Sequence, residues 1–202
     1  MKKTLFTLAL LAGLTGAVQA QNVSLGIKAG ATYSNFVGVD AANYTYKDIF
    51  GFHGGIFANI GITDMFAFQP ELLYSQKGGK SPAFAGGDIT RRLHYLDVPL
   101  AFHVNADGLF FEAGPQVGFL LAAQDKYGSA STTIDRSVYN TIDLGYLAGL
   151  GYQRKTGPGI GLRYNGAFTN YRQPTAIGNT TYQPRFRNSA FQLYLTYSFG
   201  GR

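Results

Sequence analysis

The chain has 202 residues, with 27 Gly, 16 Phe and 14 Tyr, no Cys, 14% charged residues and a formal net charge of +6 at pH 7. The lack of cysteine excludes disulfides and thiolate metal sites. Setting Lys2 and Lys3 aside as part of a leader lowers the charge to about +4, too little to predict nucleic-acid binding. Glycine and aromatic residues at this density suit pleated sheet with tight turns better than packed helices.

Residues 1–20 have the three parts of a secretory leader: Lys2 and Lys3, an apolar stretch from Leu5 to Leu14, and small residues ending in Val18-Gln19-Ala20. Cleavage is expected after Ala20, leaving residues 21–202 as one domain. The apolar stretch falls short of the roughly 20 residues a membrane-spanning helix needs, and nothing later in the chain reaches that length. Any crossing of a bilayer therefore has to be made by strands closed into a barrel, because backbone groups left open in hydrocarbon cost several kcal/mol each.

Eight runs alternate with period two. In the first, Leu25, Ile27, Ala29, Ala31 and Tyr33 oppose Ser24, Gly26, Lys28, Gly30 and Thr32. The second sets Phe50, Phe52, Ile56 and Ile60 against His53, Phe57 and Asn59, and the third sets Phe66, Phe68, Pro70, Leu72 and Tyr74 against Gln69, Glu71, Leu73 and Ser75. In the fourth, Leu96, Val98, Leu100 and Phe102 oppose Tyr95, Asp97, Pro99 and His103; in the fifth, Leu109, Phe111, Pro115 and Phe119 oppose Phe110, Glu112 and Gln116. The sixth sets Ile142, Leu144, Tyr146 and Leu150 against Asp143, Gly145, Gly149 and Gly151, and the seventh sets Ile160, Leu162 and Tyr164 against Arg163 and Asn165. The eighth, FQLYLTYSF from Phe191 to Phe199, opposes its apolar set with Gln192, Tyr194, Thr196 and Ser198. Pro70, Pro99 and Pro115 cannot donate to a ladder, so bulges are expected near them.

The connections alternate in length. Thr63-Asp64, Ala106-Asp107-Gly108 and the stretch from Lys155 to Gly159 carry short-turn chemistry. Between them lie long polar connections at roughly residues 35–48, 78–91, 122–140 and 170–188. Short turns at one end and long loops at the other predict an all-β, eight-stranded antiparallel up-and-down transmembrane β-barrel in the bacterial outer membrane, long loops outside. Tyr33, Phe36, Phe50, Phe66, Tyr74, Phe119, Tyr152, Phe168, Tyr197 and Phe199 fit interfacial girdles. A soluble barrel would turn its apolar face inward, but the charges on the other face favour a polar lumen.

By parity, Lys28, Glu71, Asp97, Glu112, Asp143 and Arg163 share that lumen, which in an eight-stranded barrel is narrow enough for side chains to fill. Buried charges have to pair. The expectation is a structural network in which Arg163 and Lys28 pair with some of the four carboxylates. Glu71 and Glu112 as an acid/base couple or an ion gate is the sharper alternative. His53, His94 and His103 are scattered without a serine motif or metal-ligand spacing, so neither a catalytic group nor a metal or cofactor site is predicted. Gly79-Lys80-Ser81 lacks the first glycine of a phosphate loop, and the glycines of DLGYLAGLGY read as small lumenal groups.

The segments GIKAGATYSNF, QPELLYSQKGGK, YLDVPLAF, FFEAGPQVGFLL and DLGYLAGLGYQ resemble the PorT-family outer-membrane β-barrel domain of Bacteroidetes, over about Val23 to Phe199. The resemblance implies an eight-stranded outer-membrane barrel, and the family takes its name from a member linked to protein secretion and gliding. The reading is thus a non-enzymatic, monomeric barrel that binds through its outer loops. Tyr127, Tyr139, Tyr171, Arg172, Tyr182, Arg185, Phe186 and Arg187 are the candidate contacts. Its expected partners are outer-membrane lipid, lipopolysaccharide or an envelope protein, and not nucleic acid. A narrow small-solute channel and a secretion accessory are the alternatives.

Overall fold

The computed structural model describes residues 23–39, 46–82, 86–154, 156–178, 180–182 and 185–199. The expected leader and its cleavage site lie outside them. Strands β1 (Val23–Val37), β2 (Ile49–Gly61), β3 (Phe66–Pro82), β4 (Asp88–Ala106), β5 (Leu109–Tyr127), β6 (Ala130–Ile134), β7 (Ile142–Gln153) and β8 (Gly157–Ala167) are followed by β9 (Thr175–Ile177), β10 (Thr180–Tyr182) and β11 (Arg187–Ser198). The main sheet has nine strands, and pairing of β4 with β5 closes it into a ring. Its eight wall strands run β1-β2-β3-β4-β5-β7-β8-β11, each antiparallel to its neighbours, while β6 hangs on β5 as a hairpin outside the ring. β9 and β10 form a separate small hairpin.

Closure of the ring removes every free edge from the wall, the condition for strands to cross hydrocarbon. The alternation then sorts side chains by solvent: Leu195 is 63% exposed and Phe50 69%, whereas the intervening Tyr194 and Arg163 are each 1% exposed. Large apolar groups thus stand outward all round the barrel, and the charged residues stand inward. At the short-turn end, Asp107 and Gly108 take φ of 47° and 89°, the paired left-handed conformations of a two-residue hairpin turn. Gly108 permits this because it has no Cβ.

Two expectations about regularity are corrected. The ladder keeps one register across the prolines: Pro70 faces Leu100, Pro99 faces Gln116 and Pro115 faces Tyr146. The register shift instead lies between His94 and Tyr95, whose partners on β5 are Ala122 and Leu120, with Leu121 as the extra residue. The connections expected at residues 78–91 and 122–140 are largely strand. β3, β4 and β5 continue well past the apolar belt, and β6 adds a further strand to β5.

Candidate functional site: the filled lumen

The centre of the bore is closed by a layer built on Arg163 of β8. Its Nη1 and Nη2 donate to the two oxygens of Glu71 on β3 at 2.9 and 2.8 Å, and its Nε donates to Glu112 Oε1 on β5 at 2.8 Å. Nη2 also donates to Glu112 Oε2. Lys28 of β1 donates to Glu71 Oε1 at 2.6 Å and lies 4.1 Å from the centre of the Tyr194 ring. Tyr194 in turn donates to Glu112 Oε1 at 2.7 Å, and Gln69 donates to Glu71 at 2.8 Å. Two cations and two carboxylates from four walls therefore meet with a planar fork serving both acids, the geometry for which arginine is suited. Such a layer fills the middle of the bore with paired, buried side chains. It fits only because neighbouring positions are small: a Cβ on Gly149 would sit 2.7 Å from Glu112 Oε1 and 2.7 Å from the Leu162 carbonyl oxygen.

Toward the extracellular end, Lys77 of β3 meets both oxygens of Asp97 at 3.0 and 2.9 Å. Asp143 accepts hydrogen bonds from Thr169 at 2.8 Å and Asn188 at 3.0 Å, and Asn188 also donates to Tyr95 at 3.1 Å. Of the four lumenal carboxylates, Arg163 and Lys28 thus take Glu71 and Glu112, while Asp97 and Asp143 find other partners. Lys77 lies beyond the third alternating run as legible in the sequence, although it continues the series Glu71, Leu73, Ser75; β3 runs on to Pro82. His53 and His103 are lumenal, with His53 Nδ1 3.0 Å from Thr32 Oγ1. His103 Nε2 lies 3.3 Å from Glu112, off the hydrogen-bond direction. His94 stands on the outer wall, its Nδ1 2.6 Å from Tyr74 Oη.

Above these charges lies an aromatic cap. Phe36, Leu93, Tyr95, Leu120, Ala123, Tyr139, Tyr171 and Phe186 form one buried cluster, with Phe36 stacked on Tyr171 at 4.2 Å between ring centres. Main-chain bonds pin the strands' connections over it: Asn140 N donates to Tyr171 O at 3.0 Å and Tyr171 N to Phe186 O at 2.9 Å. Three expected loop contacts are thereby corrected, as is Phe36 as a girdle residue, which is 3% exposed and faces inward. Tyr139, Tyr171 and Phe186 are 1%, 2% and 4% exposed, since apolar rings in a polar connection bury themselves where the barrel mouth offers an apolar hollow. Tyr127, Tyr182 and Arg185 are exposed, and Arg172 and Arg187 are half-buried. Outside the belt, the hydrogen bond from Lys47 holds the Asp88 carboxyl below its usual range, and the turn amide of Ser137 does the same for Asp135.

Among the described residues no group of three or more His, Cys, Asp or Glu is set to hold a metal ion, and no helix is long and apolar enough to cross a membrane. No curated protein matches the chain. Among solved structures it is similar to Neisserial surface protein A, at 16% identity and a TM-score of 0.53 over 88% of this chain and 99% of that one. It is also similar to the attachment invasion locus protein Ail of Yersinia pestis, at 14% identity and a TM-score of 0.47 over 87% and 98%. A third is OprG from Pseudomonas aeruginosa, at 10% identity and 0.43 over 90% and 98%. The first likeness supports the barrel architecture alone. Residues 19–173, well over half the chain, match the family described as outer membrane protein beta-barrel domain. With a closed ring of eight strands, an apolar outer belt and an ionic interior, the chain belongs to that family and is a β-barrel of the bacterial outer membrane.

Proposed function

We propose that this protein is a non-enzymatic, monomeric barrel with a closed bore, which acts through the surface it presents outside the cell. The observation that carries this reading is the Arg163 layer: both forks of a buried guanidinium are engaged across the lumen, with the aromatic cap stacked above it. Recognition falls to the extended β3–β4 and β5–β6 hairpins and to the fourth connection. There Tyr127, Tyr182 and Arg185 are exposed, with Arg172 and Arg187 half-buried beside them. Exposed tyrosine and arginine suit contact with lipopolysaccharide phosphates or an envelope protein.

Planar-bilayer recording tests the closed bore. The intact protein is expected to give no stable conductance steps; regular steps that change in Glu112→Gln would replace this reading with a small-solute channel. The segments that resemble the PorT family support a finer placing there, with a part in protein secretion. Secretion left unchanged by deletion of the gene would remove that part while leaving the closed barrel intact.

A further inference from the structure

The lumenal charges of the described residues fall into groups that do not balance equally. Around Arg163, two cations (Lys28, Arg163) face two carboxylates (Glu71, Glu112). Higher up, Arg91 is held by both oxygens of Asp125, one for one. Between these, Lys77 alone serves two acids, Asp97 and Asp143, which flank Gly118: a Cβ there would lie 2.6 Å from Asp97 Oδ1 and 3.4 Å from Asp143 Cβ. Both short contacts of Lys77 go to Asp97. Asp143, 6% exposed, keeps only the neutral donors Thr169 and Asn188, which hydrogen-bond a carboxylate without cancelling its charge. An uncompensated buried carboxylate is costly enough that something must neutralise it.

A cavity of about 10 Å³, room for one water-sized occupant, adjoins this acid and is lined by Lys77, Gln116, Asp143, Asn165 and Asn188. Asn165 is 5% exposed, and neither its Nδ2 nor its Oδ1 has a hydrogen-bond partner; Asn188 Oδ1 has none either. Buried amides left open in this way are rare in folded proteins and call for an occupant. A water would satisfy the amides but not the charge. A proton on Asp143 together with a water in the cavity would meet both demands, and the infrared band of a carboxylic acid tells that pairing from an ion. A divalent ion would overshoot the single negative charge and would lack the several carboxylates such ions draw on.

We propose that this cavity is a binding site for one dehydrated monovalent cation of the alkali or ammonium class, held by the Asp143 carboxylate with the amide oxygens of Asn165 and Asn188. The ion completes the charge pairing of the upper lumen in a dead-end chamber between the Arg163 layer below and the aromatic cap above.

Rubidium serves as the probe for the full-length folded protein in detergent. Its heat-unfolding midpoint is expected to be higher in rubidium chloride than in N-methylglucamine chloride at equal ionic strength, and crystals are expected to show an anomalous rubidium peak between Asp143, Asn165 and Asn188. Asp143→Asn should abolish the cation dependence, and Asn165→Leu should raise the half-saturating rubidium concentration about tenfold. Should Asp143→Asn fail to fold, Asn165→Leu and the salt series on the parent protein decide the matter. A midpoint blind to cation identity, a cavity without anomalous signal, or an infrared band of protonated Asp143 would each overturn the proposal, the last in favour of a proton.

Discussion

The middle of the lumen and its extracellular mouth are both closed, by opposite means. In the middle, Arg163, Lys28, Glu71 and Glu112 fill the bore with charge, and each group depends on the others being present. At the mouth, Phe36 of β1, Tyr139 ahead of β7, and Tyr171 and Phe186 between β8 and β11 fill it with rings whose packing is roughly additive in buried area. The lesson concerns failure. A charge layer is intolerant of single losses, since any one deletion strands a buried partner, whereas an apolar cap loses what the deleted ring buried plus the cavity it leaves.

The largest effect expected from this contrast is in Arg163→Met. It leaves one cation, Lys28, to serve two buried carboxylates and should destabilise the barrel by about 3–5 kcal/mol in urea unfolding from lipid vesicles. Adding Glu112→Gln to that variant, which leaves Lys28 paired one for one with Glu71, should recover much of the loss. A double variant no more stable than Arg163→Met would mean that the layer acts by packing rather than by charge, and the contrast would collapse.

A smaller loss, about 3 kcal/mol, is expected for Phe36→Ala, whose ring stacks on Tyr171. Here no second substitution should rescue stability, and hydrogen exchange should quicken at Tyr171 and Phe186 while the amides around Arg163 stay protected. Uniform quickening through the wall would show that cap and layer are one cooperative unit.

The least effect belongs to Asp88→Asn, outside the belt. Lys47 and Lys80 lie 3.3 and 3.4 Å from its carboxylate, in solvent, and the bond from Lys47 depresses its pKa. With the folded value lowered, whatever stability this pair adds is present above the ordinary carboxylate pKa and fades as pH falls through the folded one. Because exposed pairs contribute little, the unfolding midpoint at neutral pH should be unchanged by the substitution, and any effect should shrink in high salt.

Much of the wall was legible because parity has a short memory: whether Leu193 or Gln192 faces lipid follows from its immediate neighbours. The long hairpins were not. Gly78 and Gly79 are buried but carry no side chain to alternate, and at Lys80-Ser81 and Asp88-Ile89-Thr90-Arg91-Arg92 both faces are partly exposed, so alternation of hydropathy fades although the strand continues. That loss of contrast also hid Lys77. The burial of Tyr139, Tyr171 and Phe186 was illegible for a different reason. A ring in a polar connection is exposed or buried according to whether an apolar hollow awaits it, and here that hollow is made by Phe36, Leu93 and Leu120 from other strands.

By itself the sequence determined the eight alternating wall segments, which residues turn to lipid and which to the bore, and that the bore is ionic, since each depends on period-two geometry and on the cost of charge in hydrocarbon. Only the tertiary structure decided which charges meet. Arg163 reaches Glu71 across 92 residues of chain and Asp97 takes Lys77, leaving Asp143 beside open amides. These pairings depend on the stagger of strands around the closed ring, which places residues at a common height, and no local pattern in the chain encodes that height.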